Sequence, residues 1–194
     1  MVDRLLTFDA AVGLLKSGGV LLLGTDTVPG FHCRADMPDS VARIQTLKGR
    51  GSEKSMLVLA GSVDQAGLVT GTLDERQSVF CRRCWPGPFS LILPASKGQT
   101  VAVRVPALES LRSLVLSVGF PLVSTSANRS GESPCPDFKA ALADFSSQVD
   151  GGWNPRESRG EAAGSTLIGP SALIDLTSWP PVQLRQGPLN PPPS

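Results

Sequence analysis

The spacing of apolar residues changes several times along the chain, and each change marks an element. "FDAAVGLLKSGG" (8–19) has helical spacing and ends in Gly-Gly, which predicts a helix and its stop. "VLLLG" (20–24) is an unbroken apolar run, the pattern of a strand covered on both faces. "DSVARIQTLKG" (39–49) predicts a second helix, with Asp39 or Ser40 as cap and Gly49 at its end. "SMLVLA" (55–60) reads as another buried strand, and helices are expected around 62–69 and 74–84. "FSLILPA" (89–95) and "TVAVRVP" (100–106) predict strands, the second alternating between its two sides. A helix over 107–119, a strand over 121–127, a helix over 137–145 and two late strands, "SALIDL" and "VQLRQG", complete the pattern. Helices and strands interleave, so the fold class is α/β with a largely buried, twisted sheet.

Two stretches lack such patterning. Residues 147–166 are polar and Gly-rich and predict a mobile loop. The tail 189–194 is Pro-rich, has no core-forming run, and predicts disorder after a single domain over 1–188.

Composition narrows the classes. Apolar residues make up 41% of 194, which is globular rather than disordered, and enough chain for one sizeable core. The formal net charge of +1 does not suggest a surface for non-specific nucleic-acid binding, though a local patch is compatible with it. No apolar run approaches the ~20 residues needed to span a bilayer. The first residues lack a basic segment followed by an apolar one, so a cytoplasmic protein is expected, with no membrane partner. Four cysteines, Cys33, Cys81, Cys84 and Cys135, are too few and too scattered for a disulfide framework. "CRRC" (81–84) is a lone CxxC beside a single histidine, His32, and reads as thiols on a helix more readily than as a metal or redox site.

Candidate chemistry gathers where apolar strands end. "GTDTVPG" (24–30), "LKGRGSEK" (47–54), "VRVP" (103–106) and "STSANRSG" (124–131) each put small polar or cationic residues at a strand terminus. Ligands of open α/β sheets sit at such ends. Lys48, Arg50 and Lys54 stand before an apolar run, as a site for an anion requires, although a solvated basic loop after a helix gives the same pattern. "STSANRSG" suits an anion nest or a plain polar turn. Arg104 lies in an alternating strand, where a charge more often faces solvent. There is no GxxxxGK[ST] and no GxGxxG, and one histidine leaves little room for a Ser/His/Asp triad.

Together these segments say more than any one of them. "GGVLLLGTDTVPG", "LKGRGSEKSMLVL", "CWPGPFSLIL", "TVAVRVP", "PLVSTSANRSG", "SALIDL" and "QLRQG" occur in the order found in the YrdC/TsaC family of threonylcarbamoyl-AMP synthases, and the chain resembles that family from about residue 8 to about 188. The resemblance is to the single-domain members. It implies a twisted, mixed open α/β sheet flanked by helices, with a large positively lined groove. It also implies a reaction joining L-threonine, bicarbonate and ATP into threonylcarbamoyl-adenylate with release of pyrophosphate. The product would serve modification of a tRNA adenosine, with tRNA or tRNA-modification proteins as possible partners.

The resemblance assigns roles by position. Lys48, Arg50 and Lys54 would hold phosphates and bicarbonate. Thr100, Asn128 and Arg185 would contact the nucleotide. Thr27, Arg104, Ser126 and Ser171 would hold substrate, with Arg104 pairing the threonine carboxylate. Mg²⁺ would enter on the ATP phosphates, with no protein metal site. Three departures stand out: Pro29 where the family usually has Tyr, Leu59 where it usually has His, and Ser-Ala at 171–172 for the more usual Ser-Thr. The first two would face the amino-acid side of the site. They keep open a carbamoyl-adenylate made for another acceptor. An RNA-binding module on the same fold is the third reading, with three Trp, seven Phe and no Tyr available for stacking.

Overall fold

The computed structural model of the chain describes residues 5–49, 56–155 and 169–193. In chain order the elements are α1 (Phe8–Lys16), β1 (Leu21–Leu23), β2 (Gly30–Arg34), α2 (Pro38–Lys48), β3 (Leu57–Leu59), α3 (Val63–Ala66), α4 (Glu75–Cys84), β4 (Phe89–Pro94), β5 (Thr100–Arg104), α5 (Glu109–Val118), β6 (Leu122–Ser126), α6 (Phe138–Phe145), β7 (Gly151–Trp153), β8 (Ala172–Asp175) and β9 (Val182–Arg185). The strands form one mixed sheet in the order β7-β1-β2-β6-β3-β5-β4-β8-β9. Its parallel pairs are β1 with β7, β3 with β5, and β4 with β8; the other neighbours run antiparallel.

Local chemistry sets the helix ends. Asp74 caps α4 in a reciprocal box with Gln77, and Asp137 accepts from Ala140 N–H at the start of α6. The α2 helix starts one or two residues before the expected caps. Met37 is its N-cap and Pro38 takes the first turn, where a missing N–H does no harm. Ser40 is therefore free to donate to Gly18 O at 2.7 Å. Gly49 closes α2 at φ 61, as its position predicted.

Two strands escape the pattern reading. β2, "GFHCR", follows a Pro-Gly turn signal and carries His32 and Arg34, so it does not read as an apolar run; yet it is central, between β1 and β6. β7, "GGW", falls in the segment expected to be a loop. There the two glycines serve close packing. A Cβ on Gly151 would lie 2.6 Å from Leu6 Cδ1. Asp150 fastens this strand beside β1, accepting from Val20 N–H at 2.7 Å and pairing with Arg43 at 2.9 Å. Residues 156–168 of the same expected loop lie outside the described residues. The α3 helix is also shorter than expected, at Val63–Ala66. Residues 189–193 carry no helix or strand.

The sheet has two unlike faces. On one, Leu22, Phe31, Cys33 and Val123 pack with residues of α2 and α6, and Leu91, Leu93 and Val103 pack with Phe80, Cys81 and Cys84 of α4. The thiols of Cys81 and Cys84 are thus core groups, pushed up to about 12 by burial, which keeps them protonated at neutral pH. On the other face, Leu21, Leu23, Leu59 and Leu122 lie under α1 and α5. Farther along the strands on that same face the large apolar residues give way to small or polar ones. Ser124 and Ser126 follow Leu122, and Gly30 and His32 are their partners on β2; on β5, Arg104 stands beside Leu59, and Ala102 lies two residues away on the same face. Small side chains leave a concavity there, and that concavity is the cleft.

Candidate functional site

An open cleft of about 250 Å³ lies over this part of the sheet, floored by β2, β3, β4, β5, β6, β8 and β9. Arg104 and Arg185 are the only charged side chains among its described lining residues. Arg104 is 2% exposed, contrary to the solvent-facing position that strand alternation favours. Its Nη1 donates to Thr27 Oγ1 at 3.1 Å and stands 3.4 Å from Asp26 Oδ1. Its Nε has no hydrogen-bond partner. Burial pulls the pKa of this guanidinium down from its ordinary value, and the Asp26 carboxylate draws it back up. Asp26 in turn is held by Ala107 N–H at 2.8 Å. That Nε is itself shut off from the cleft, so Arg104 would meet an anionic ligand oxygen through its terminal guanidinium nitrogens, at the cleft that the residue lines.

The β1–β2 turn presents Thr27. Thr25 Oγ1 accepts Thr27 N–H at 3.0 Å and donates to Val28 O at 2.8 Å, fixing the "TDTV" loop in one shape. Across the cleft, Ser171 Oγ and Ser90 Oγ share a hydrogen bond of 2.7 Å. Ser171 O accepts from Arg185 Nε at 3.0 Å. Arg185 has its pKa lowered by burial and then by the like charge of Arg104, so the two cations are near enough to repel. A bound polyanion would relieve that repulsion.

Lys48 has an unexpected setting. It is 1% exposed, and its ammonium donates to Ser126 O at 2.7 Å and Asn128 Oδ1 at 2.6 Å. Asn128 Oδ1 also accepts from Ser126 Oγ, while its Nδ2 donates to Arg129 O at 2.8 Å and Glu132 O at 2.7 Å. All the hydrogen-bonding capacity of the Asn128 amide is engaged inside the loop. Ser130 N–H to Lys48 O, 2.9 Å, ties the loop again to the end of α2. Lys48 and Asn128 therefore latch the 126–128 loop from beneath, and neither lines the cleft.

Comparison with known proteins fits this geometry. The Sua5/YciO/YrdC family model, described as telomere recombination, matches residues 13–187. The chain belongs to the Sua5/YciO/YrdC family. It is similar to the threonylcarbamoyl-AMP synthase of Pyrococcus abyssi, 34% identical, over 92% of this chain and 53% of that protein. The chain thus spans about half the length of this archaeal relative. It is also similar to the threonylcarbamoyl-AMP synthase of Idiomarina loihiensis, 34% identical over 84% of this chain and 91% of that one. The structure of P. abyssi Sua5 complexed with L-threonine superposes with TM-score 0.82 at 29% identity, over 96% of this chain and 58% of that one.

Within this Sua5/YciO/YrdC chain, the cleft brings together Thr27, Arg104, Ser126, Ser171 and Arg185 of the residues expected from sequence. Thr100 does not line it. It is exposed at the start of β5, on the face of Ala102 and Arg104 but beyond the cleft's edge. Arg50 and Lys54 lie outside the described residues. Leu59 is fully buried in the apolar cluster with Leu111, Leu114 and Val115 of α5, so this departure from the family is a core position and does not open on the cleft. Pro29 does not line the cleft either; its carbonyl accepts Ala127 N–H at 2.9 Å.

Pattern reading gave no role to Ser90 or His32, and took Ser124 only as the first residue of "STSANRSG". The signal was a polar residue at an alternate strand position with apolar neighbours, which places it on the cleft face. His32 is fully buried, with its pKa held to about 3 by burial and the nearby Arg104 charge. Because the unfolded chain binds the proton near pH 6.5, acid favours unfolding. Stability is expected to fall by up to about 1.4 kcal/mol per pH unit below ~6.5, down towards the folded value. Urea unfolding at neutral and mildly acidic pH, compared with His32→Asn, measures it; an equal acid loss in the variant would remove His32 from the account.

Proposed function

We propose that this chain is a threonylcarbamoyl-AMP synthase, forming threonylcarbamoyl-adenylate and pyrophosphate from L-threonine, bicarbonate and ATP. The observation that carries it is Arg104, buried at the cleft floor with its Nη1 bonded to the Thr27 hydroxyl, both residues lining the cleft. This is the setting for a carboxylate ligand, and relatives of this chain carry the synthase name. Chemically, the threonine amine nitrogen bonds to the bicarbonate carbon with loss of water. A carbamate oxygen then attacks the α-phosphorus of ATP, and pyrophosphate leaves. Such a sequence needs positioned reactants and charge neutralisation rather than a covalent nucleophile.

The protein's residues divide that work. Arg104 and Thr27 hold the amino acid, with Ser171 and Ser126 bounding it. Arg185, with Arg50 and Lys54, offsets the charge of the phosphates and bicarbonate. Lys48 and Asn128 act as positioning residues, holding Ser126 and the following backbone to the cleft wall. Thr100 contributes only at the nucleotide's outer end. Mg²⁺ would enter on the ATP phosphates, held mainly by the nucleotide itself. Delivery of the adenylate to tRNA would fall to tRNA-modification proteins. Among the described residues no helix is long and apolar enough to cross a membrane.

Pyrophosphate release measured over a panel of amino acids tests the acceptor. Release is expected to need both bicarbonate and threonine, and to be weaker with serine, which lacks one methyl group. Stronger stimulation by another amine would replace threonine by that acceptor while keeping carbamoyl-adenylate chemistry. Release with no amino-acid dependence would defeat the proposal.

A further inference from the structure

We propose that His32 and Ser124 form a buried polar pair that fixes the Ser124 hydroxyl oxygen as a hydrogen-bond acceptor towards the cleft, where it receives an N–H of the bound substrate. This rests on the synthase reading for the identity of the ligands. The roles assigned above leave His32 and Ser124 unused.

The direction of the pair follows from its partners. His32 is fully buried between β1 and β6, and Nδ1 lies 2.9 Å from Gly30 O. A carbonyl oxygen only accepts, so Nδ1 carries the hydrogen. Nε2 of the neutral ring is then an acceptor, and Ser124 Oγ stands 3.0 Å from it. The Ser124 hydroxyl hydrogen is thereby committed to Nε2. What the hydroxyl offers the cleft, which Ser124 lines, is lone pairs alone. Burial and the Arg104 charge keep the imidazole neutral at physiological pH, so this direction does not reverse.

An acceptor of fixed direction is informative in a cleft built for anions. Phosphate and carboxylate oxygens gain nothing from it. Nitrogen groups that donate and do not accept fit it best. ATP and threonine supply two of these, the 6-amino group of adenine and the amine of the amino acid. Other cleft hydroxyls are engaged differently: Ser126 bonds Asn128, and Ser90 bonds Ser171. The pair also repeats, with a backbone carbonyl in place of a carboxylate, the orienting logic by which a histidine is held in one tautomer. Here the held ring orients a hydroxyl and takes up no proton.

Dissociation constants for L-threonine, ATP and ITP, measured on tag-free wild type, Ser124→Ala, His32→Ala and the double variant, test this. Ser124→Ala is expected to weaken either threonine or ATP about tenfold and to spare the other. If ATP is the one affected, ITP, which has a carbonyl in place of the amino group, is expected to bind the variant and the wild type alike. His32→Ala is expected to show the same selective loss, with no further loss in the double variant. Unchanged affinities, equal loss for both substrates, or additive losses would overturn the proposal. The chain has one histidine, so its imidazole ¹⁵N resonances report the pair without ligand. A protonated Nδ1 that stays neutral at mildly acidic pH is expected, and the opposite tautomer would overturn the pair. A wild type that binds neither ATP nor threonine would defeat the synthase reading and the ligand half of this proposal, while the resonances still judge the pair.

Discussion

Replacing Arg104 by Met is expected to raise the dissociation constant for L-threonine about 100-fold while changing that for ATP by less than about threefold. Charge-assisted hydrogen bonds to a carboxylate are the strong ones, the more so from a buried guanidinium, and Met keeps most of the volume while removing every donor. The variant also leaves Asp26 buried without its cation, although Asp26 keeps the Ala107 N–H. A stability loss of a few kcal/mol is expected alongside, because a buried pair broken on one side strands the other charge. Asp26→Asn in the same background should recover part of that stability and none of the threonine affinity. Calorimetric titration with each ligand separates the two effects. Equal losses for ATP and threonine would move Arg104 from the amino acid to the phosphates.

The second large effect is expected at Lys48. Lys48→Met removes hydrogen bonds from a buried ammonium to Ser126 O and Asn128 Oδ1. Hydrogen bonds from a charged group contribute about 1.5–3 kcal/mol, so an unfolding free energy lower by about 2–3 kcal/mol is expected in urea. Activity should fall further than stability explains, because Ser126 and the backbone behind it lose the latch that holds them to the cleft. At a temperature where the variant remains folded, kcat is expected to drop more than the KM for ATP rises. A variant with normal stability and a raised KM for ATP alone would make Lys48 a direct phosphate ligand.

Much of the site was legible because strand alternation and motif order carry it. The small polar positions of "STSAN" and the "TDT" turn are signals of composition, and Thr27, Ser124, Thr125 and Ser126 among them become cleft residues. Arg104 was ambiguous on its own: alternation says which side of β5 it occupies, not whether that side is solvent or cleft. The pairing of β5 with β3 and β4 decides it, and pairing between distant segments is not written in a local period. Lys48 reads as a phosphate-binding cation from sequence because it precedes an apolar run. Only the packing of the end of α2 against the 126–128 loop reveals its inward hydrogen bonds. β2 and β7 were missed for a similar reason. Their glycines and polar residues resemble turn chemistry, but neighbouring strands and Leu6 fix them as sheet. Leu59 shows the reverse case, a departure that suggests a changed site and proves to be core.

The most direct test supplies isotopically labelled bicarbonate with ATP and L-threonine and follows the label by mass spectrometry. Label is expected in an adenylate that also contains threonine, formed in step with pyrophosphate and lost in Arg104→Met. Pyrophosphate formed without labelled adenylate, or labelled adenylate formed equally well by Arg104→Met, would contradict the assignment of this cleft.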